Sequence, residues 1–564
     1  MMLWLPRIML LSAAAGTLFG CTQFSAYHTK TSTSPPAPIT YEVVDCFSGR
    51  NKPTMTTCEE EVAGSYAIQH RHYRYQDRGH VARTGEYHMA FVEFDDQGWF
   101  ADRRQMEALF MLLRTLEEND RHTLILVYAH GWKHNASGCD NNVHCFSRLV
   151  ERMDILERHL DEAKAMQPGA VEQKGPGRVP RHVVAVYVGW RGLSLKGALA
   201  NISFWTRKAT AERVGRGGVK ELLTRLNDYR RVRNPSRDEA KTQLAIAGHS
   251  FGGLVVYSAL SHSLIERASS VHRTSTGTVC NGSAESGPGG LTCYDIATSF
   301  GDLIVLVNPA FEGSLYEPLF HVATNRCYSA RQRPVLVTVT SAGDSATGRA
   351  FPFGRYINSL FEHAGSGSQR DSILQTVGHD KRYETHRLEW RDEPAGKTPQ
   401  QAEPEVRVPE ERDCGCPYLD VTEDFKWWEF ADPAKLPLVP RPTTEAARAA
   451  STPPAITPVI DHGRRVYGVY GDRVILSGDM KYSANYPYLV ITADPKIIAD
   501  HNAIYNEPFI EFLHKFFLLH VANSRPFEAD VCHRNAPGCQ AGGALPCERS
   551  CELPDGGAAC TLQE

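Results

Sequence analysis

Leu244-Ala245-Ile246-Ala247-Gly248-His249-Ser250-Phe251-Gly252-Gly253-Leu254 is an apolar strand running into Gly-x-Ser-x-Gly and then into a small-residue helix start. A serine on such a strand-to-helix turn sits in a strained conformation with its hydroxyl exposed above the sheet. Gly248 and Gly252 remove the side chains that would collide there. The helix expected from Gly253 to about Ile265 points its N-terminal amides toward the same place. Ser250 is therefore the candidate nucleophile. A plain serine in a turn would also satisfy the pentapeptide, but it leaves the preceding strand and the Gly252-Gly253 pair without a reason.

Outward from this turn, apolar strands alternate with helical patterns. Strand-like segments are expected at Tyr87–Phe94, Thr123–Ala129, His182–Val188, Leu303–Val307, Val335–Thr340 and Tyr488–Thr492. Between them the 3.6-residue period predicts helices at Arg103–Glu118, around Phe146–Ala165, up to about Arg230 and at Glu507–Leu519. Continuous apolar runs separated by helices of this length imply parallel strands buried on both faces. The expected fold class is α/β, a mostly parallel sheet flanked by helices. Residues 41–388 form the first part of the core and 480–522 its last strand and helix. Between them, 389–479 reads as an insertion or cap-like segment, rich in Pro, Glu and Ala and interrupted by Phe425-Lys426-Trp427-Trp428. Residues 523–564 form a cysteine-rich tail.

The chain has 564 residues, 42% hydrophobic and 22% charged, enough to bury a large core. Its formal net charge of -4 gives no basic footprint, which argues against a nucleic-acid partner. The amino terminus carries one positive charge, Arg7, then an apolar or small run from Ile8 to Phe19, then Gly20-Cys21. This resembles a bacterial lipoprotein signal, in which the cysteine is lipidated; an ordinary secretory signal cut nearby is the alternative. By the same resemblance Thr22 favours the outer membrane. The run is too short to span a bilayer, so the membrane is reached through the anchor at Cys21. Residues 22–40, rich in Ser, Thr and Pro, read as a tether. Of 15 cysteines, 14 remain without Cys21, an even number compatible with complete pairing in an oxidising compartment. Short loops are expected at Cys46/Cys58, Cys139/Cys145 and Cys280/Cys293. The tail cysteines, Cys532 to Cys560, read as disulfides in preference to a metal site, because no Cys-x-x-Cys pair occurs there.

Strand order and the Gly248–Gly252 elbow together resemble the α/β-hydrolase superfamily, over roughly residues 85–385 and 480–522. His130-Gly131-Trp132, after Leu124–Ala129, is similar to the His-Gly-x loop that supplies half of an oxyanion hole in that family. The resemblance implies the amides of Phe251 and Trp132 as donors, with His130 in a structural role. Asp344, after the strand Val335–Ser341, is the expected acid; capping the next helix is its alternative role, and Glu312 is the second candidate acid. His501, between the last strand and the last helix, is the expected base. His379 is its rival and His386 a weaker one. Ser250, His501 and Asp344 would cleave a small-molecule or lipid ester through an acyl-enzyme, as carboxylesterases and lipases do, with neither metal nor organic cofactor. The same groups serve acyltransferases, thioesterases and peptidases, and a non-catalytic envelope lipoprotein using the scaffold for binding is the alternative from another class. Oligomeric state is not encoded in any of these patterns.

Overall fold

The computed structural model describes residues 25–31, 66–77, 81–138, 140–160, 180–193, 203–234, 240–271, 296–326, 328, 332–360, 362–391, 460–461, 463–470, 473–482 and 485–522. Their strands are β1 (Ile68–Asp77), β2 (Val81–Phe94), β3 (Thr123–Ala129), β4 (His182–Trp190), β5 (Thr242–His249), β6 (Leu303–Val307), β7 (Leu336–Ser341), β8 (His386–Trp390), β9 (Ile460–Asp461), β10 (Arg464–Tyr470), β11 (Val474–Asp479) and β12 (Tyr488–Ala493). All lie in one sheet of order β1-β2-β4-β3-β5-β6-β7-β12-β8-β11-β10-β9. From β2 across to β8 every neighbouring pair is parallel. Antiparallel strands finish both edges, β1 on β2 at one end and β11, β10 and β9 beyond β8 at the other.

The helices are α1 (Arg103–Glu118), α2 (Asn141–Arg158), α3 (Phe204–Val214), α4 (Lys220–Arg233), α5 (Phe251–Ser270), α6 (Gly313–Thr324), α7 (Phe351–Asn358), α8 (Gly367–Leu374) and α9 (Glu507–Phe517). Strand β3 explains the layering. All seven of its residues are buried: Ile125, Val127 and Ala129 enter one core, Leu124, Leu126 and Tyr128 the other. A strand apolar on both faces needs a cover on each side. Met106, Leu109 and Leu113 of α1, with Leu254 and Leu260 of α5, cover the first face. Val143, Phe146 and Val150 of α2, with Phe509, Phe512 and Phe516 of α9, cover the second. The architecture is α/β, as expected from the sequence.

Several boundaries differ from expectation. The sheet begins earlier, with the β1–β2 hairpin preceding Tyr87. Helix α2 starts at Asn141 because the Asp140 side chain caps it, accepting from the Asn142 amide at 2.8 Å. The 389–479 segment is not wholly an insertion, since β8 ends inside it and β9, β10 and β11 extend the sheet. Residues 392–459, with Trp427 and Trp428, lie outside the described residues, as do the 1–21 signal with Cys21 and the 523–564 tail. Cys145 is disulfide-bonded, to a partner outside the described residues. Among the described residues no helix is long and apolar enough to cross a membrane.

Residues 25–31 also depart from their reading as free tether. Lys30 bridges Tyr66, and His28 is fully buried with its ring stacked on Phe91 at 3.7 Å. What holds them is the buried carboxylate of Glu93. It accepts from the amides of Tyr27 at 3.0 Å and His28 at 2.9 Å, from His28 Nδ1 at 3.2 Å and from Gln105 Nε2 at 3.1 Å. Burial pushes the Glu93 carboxyl up, but His28 and these amides together outweigh it and hold it below its ordinary 4.5.

Glu93→Gln is expected to lower the unfolding free energy by about 2–3 kcal/mol at neutral pH, the scale of hydrogen bonds to a charged acceptor, in urea denaturation. A carboxylate with a depressed folded-state pKa contributes fully above its unfolded value and loses that contribution as pH falls through the folded value. Wild type and variant should therefore converge in stability as the pH drops below 4.5.

Candidate active site

Chain order places a crevice before any side chain is considered. From β3 the chain steps to β4 toward one edge, whereas from β5 it proceeds through β6 and β7 to β12 toward the other. The reversal lies between β3 and β5, and loops leaving the carboxyl ends of such strands diverge and leave a cleft. His130-Gly131-Trp132 leaves β3 on one side of it. Ser250 leaves β5 on the other.

Ser250 has φ 56° and ψ −121°, a conformation costly for a non-glycine residue, by about 1–3 kcal/mol. Surrounding backbone holds it there. The Ser250 amide donates to Val307 O at 3.0 Å, and Ser250 O accepts from the amides of Gly253 at 3.0 Å and Ala310 at 3.1 Å. The flanking glycines are sterically required: a Cβ on Gly248 would lie 2.5 Å from Gly252 O, and one on Gly252 would overlap the Ala129 carbonyl. Gly131 is equally constrained, since a Cβ there would approach Ser250 Cβ to 2.9 Å.

His501 Nε2 lies 2.8 Å from Ser250 Oγ, and His501 Nδ1 lies 2.8 Å from Asp344 Oδ2. With Asp344 as acceptor, Nδ1 carries the proton and Nε2 is free to accept from the serine. The three expected residues, distant in sequence, are thus brought together in one hydrogen-bonded line. Asp344 is buried and does also cap the next turn: Oδ1 accepts from the amides of Ala346 at 2.9 Å and Thr347 at 3.0 Å, and Oδ2 from the Thr347 hydroxyl. Burial raises its pKa, but the His501 and Thr347 hydrogen bonds prevail, so the carboxyl lies below its ordinary value and is ionised at neutral pH.

The backbone of His501 is fixed as firmly as its ring. Its carbonyl accepts from His249 Nε2 at 2.8 Å and from Asn308 Nδ2 at 3.0 Å. Burial, with His501 alongside, pushes His249 down to about 3, so His249 is a neutral donor. Asn308, at φ 44°, also accepts from the Ser341 amide at 2.9 Å, which ties the ends of β6 and β7 to the His501 loop. Sequence reasoning missed His249, Asn308 and Thr347 as positioning residues. The signals available were their places, beside Ser250, directly after β6, and three residues beyond Asp344.

The alternative acid and base fall elsewhere. His379 Nε2 is 3.1 Å from the Thr347 hydroxyl, which itself donates to Asp344 Oδ2. Glu312 is buried between Lys208 Nζ and Arg355 Nε, each at 3.0 Å. His386 is buried on β8, its Nδ1 at 2.8 Å from Thr385 Oγ1. His130 is structural: Nδ1 donates to Gly131 O at 2.9 Å, Nε2 accepts from the Trp190 amide at 3.1 Å, and burial pushes the ring down to about 4. The amides of Phe251 and Trp132 have no acceptor among the described residues. Beside them, Phe204 packs on Trp132 at 5.2 Å and on the fully buried Phe251 at 4.8 Å.

The chain matches no protein-family model and no curated protein. Among solved structures it is similar to phospholipase PlaB from Legionella pneumophila in complex with thio-NAD, at 12% identity and a TM-score of 0.20. The match covers 48% of this chain and 46% of that one. So slight a likeness carries no weight beside the geometry above.

A serine activated by a positioned histidine reacts with fluorophosphonates; an ordinary serine does not. His501→Ala is expected to slow labelling of Ser250 by at least about a thousandfold. His379→Ala should keep the rate within about tenfold, because that ring hydrogen-bonds to the Thr347 hydroxyl and not to Ser250 or Asp344. Rates from a time course of probe incorporation separate the two.

Proposed function

We propose that the protein is an exported serine hydrolase that cleaves carboxylic esters through an acyl-enzyme, held to the outer membrane by a lipid on Cys21. The supporting observation for the chemistry is the contact line Ser250 Oγ to His501 Nε2 and His501 Nδ1 to Asp344 Oδ2, each 2.8 Å. Ser250 Oγ attacks the ester carbonyl while His501 Nε2 takes its proton. Asp344 accepts from Nδ1–H throughout, fixing the tautomer and stabilising the imidazolium. The amides of Phe251 and Trp132 receive the oxyanion, and donors already aimed there need no reorganisation as charge develops. The imidazolium then protonates the departing alkoxide. Water, deprotonated by His501, releases the acid and restores Ser250.

The partly buried rings of Trp132 and Phe204, beside the Trp132 amide, suit an apolar acyl group. Ester turnover should therefore rise with acyl chain length over the first several carbons. For anchoring, support comes from Arg7, the apolar run to Phe19 and Gly20-Cys21.

Ser250→Ala is expected to abolish fluorophosphonate labelling and to lower ester turnover by about three orders of magnitude or more, leaving only what binding and the oxyanion donors supply. Normal turnover by a folded Ser250→Ala protein would remove the mechanism. Cys21→Ser should move the protein from the membrane fraction to the soluble one with specific esterase activity retained. Unchanged fractionation would count against the anchor and leave the hydrolase chemistry standing.

A further inference from the structure

A cluster of histidines at the opposite end of the sheet plays no part in this chemistry. On the β1–β2 hairpin, His70 is registered opposite His88 and His72 opposite Glu86. Alternate residues of a strand share a face, so these four side chains form a square on one side of the sheet edge. The His70 ring stacks on His88 at 4.3 Å and lies 4.4 Å from His72. His88 is satisfied by His182, the first residue of β4, through Nδ1 and Nε2 at 2.7 Å.

His70 and His72 each leave a ring nitrogen unsatisfied. The Nε2 atoms of both His70 and His72 are shielded from solvent without a hydrogen-bond partner. His70 Nε2 stands 3.3 Å from Glu86 Oε2, close enough for charge attraction but out of hydrogen-bonding alignment. One ligand atom from each of His70, His72 and Glu86 lies within 4.8 Å of the other two. Shielded polar atoms are normally paired, and two imidazole nitrogens with one carboxylate oxygen are a donor set for a borderline divalent metal. Tetrahedral zinc requires donors about 3.4 Å apart, which small side-chain rotations supply. The side chains of His70 and Glu86 are 21% and 35% exposed, leaving an entry path and room for water to complete the coordination. Glu86 also faces Arg121 Nη2 at 3.4 Å, a competing partner the metal would displace.

We infer that His70, His72 and Glu86 bind one divalent transition-metal cation of the zinc type, which staples edge strand β1 to β2. Phe94, at the catalytic edge, stands six positions along β2 from His88, about 20 Å of strand, so the metal takes no part in ester cleavage.

The test uses the full chain without a histidine tag, stripped with chelator and titrated with Zn²⁺ by calorimetry, with thermal unfolding in parallel. Saturable one-to-one binding at micromolar Kd or tighter, with a raised Tm, is expected. His72→Ala should weaken binding by about a hundredfold and Glu86→Gln by about tenfold. Should His72→Ala fail to fold, the partly exposed, nearly isosteric Glu86→Gln carries the test alone. No saturable binding, or binding unchanged in the folded variants, would overturn the site; the latter would put the metal elsewhere on the chain.

Discussion

The left-handed backbone of Ser250 is the constraint on which the rest of the site depends. A residue at that φ relaxes unless it is pinned, and the pins come from three directions: the Val307 carbonyl on β6, the Ala310 amide beyond it, and the first turn of α5. The first two exist only because β5 and β6 are parallel neighbours in register; the third is local to the turn. Gly131, Gly248 and Gly252 let the backbone close around the serine where any side chain would force it apart. Strain at one residue is thus balanced by the packing of three strands and a helix, the usual way a folded chain sustains an unfavourable torsion.

The interior of the sheet was legible from local pattern. Leu124–Ala129 and Leu303–Val307 are apolar without interruption, as a strand covered on both faces requires. The β9–β11 edge was not, because Arg464-Arg465-Val466-Tyr467 mixes charge with apolar residues and sits next to a Pro-rich stretch. Antiparallel edge strands tolerate such mixing, since solvent accepts one side. The docking of Tyr27 and His28 was equally hidden. Its partner, Glu93, lies some 65 residues away, and nothing in a Ser- and Thr-rich segment announces a buried hydrogen bond.

At the site, the three groups in contact were legible because each lies on the segment that leaves the carboxyl end of a strand, where position carries information. The residues that orient them were not. His249 and Asn308 act through a side chain reaching another segment's carbonyl, a relation that exists only once β5, β6 and the loop after β12 are adjacent. Thr347 is different: its contact with Asp344 is local and follows from the helical turn that the acid caps.

The grip of Glu93 on residues 27 and 28 sets a geometric limit on the proposed lipid anchor. Seven residues from Cys21 to His28 span at most about 25 Å when fully extended, so the leash is much shorter than the 22–40 composition suggests. Its fixed end is at Glu93, one residue from the carboxyl end of β2, on the same edge of the sheet as Ser250 and three strands away, about 14 Å. A chain moored there cannot roam. The lipid bilayer and the open end of the crevice would share one side of the molecule, and substrate leaving the membrane surface would have only a short distance to travel.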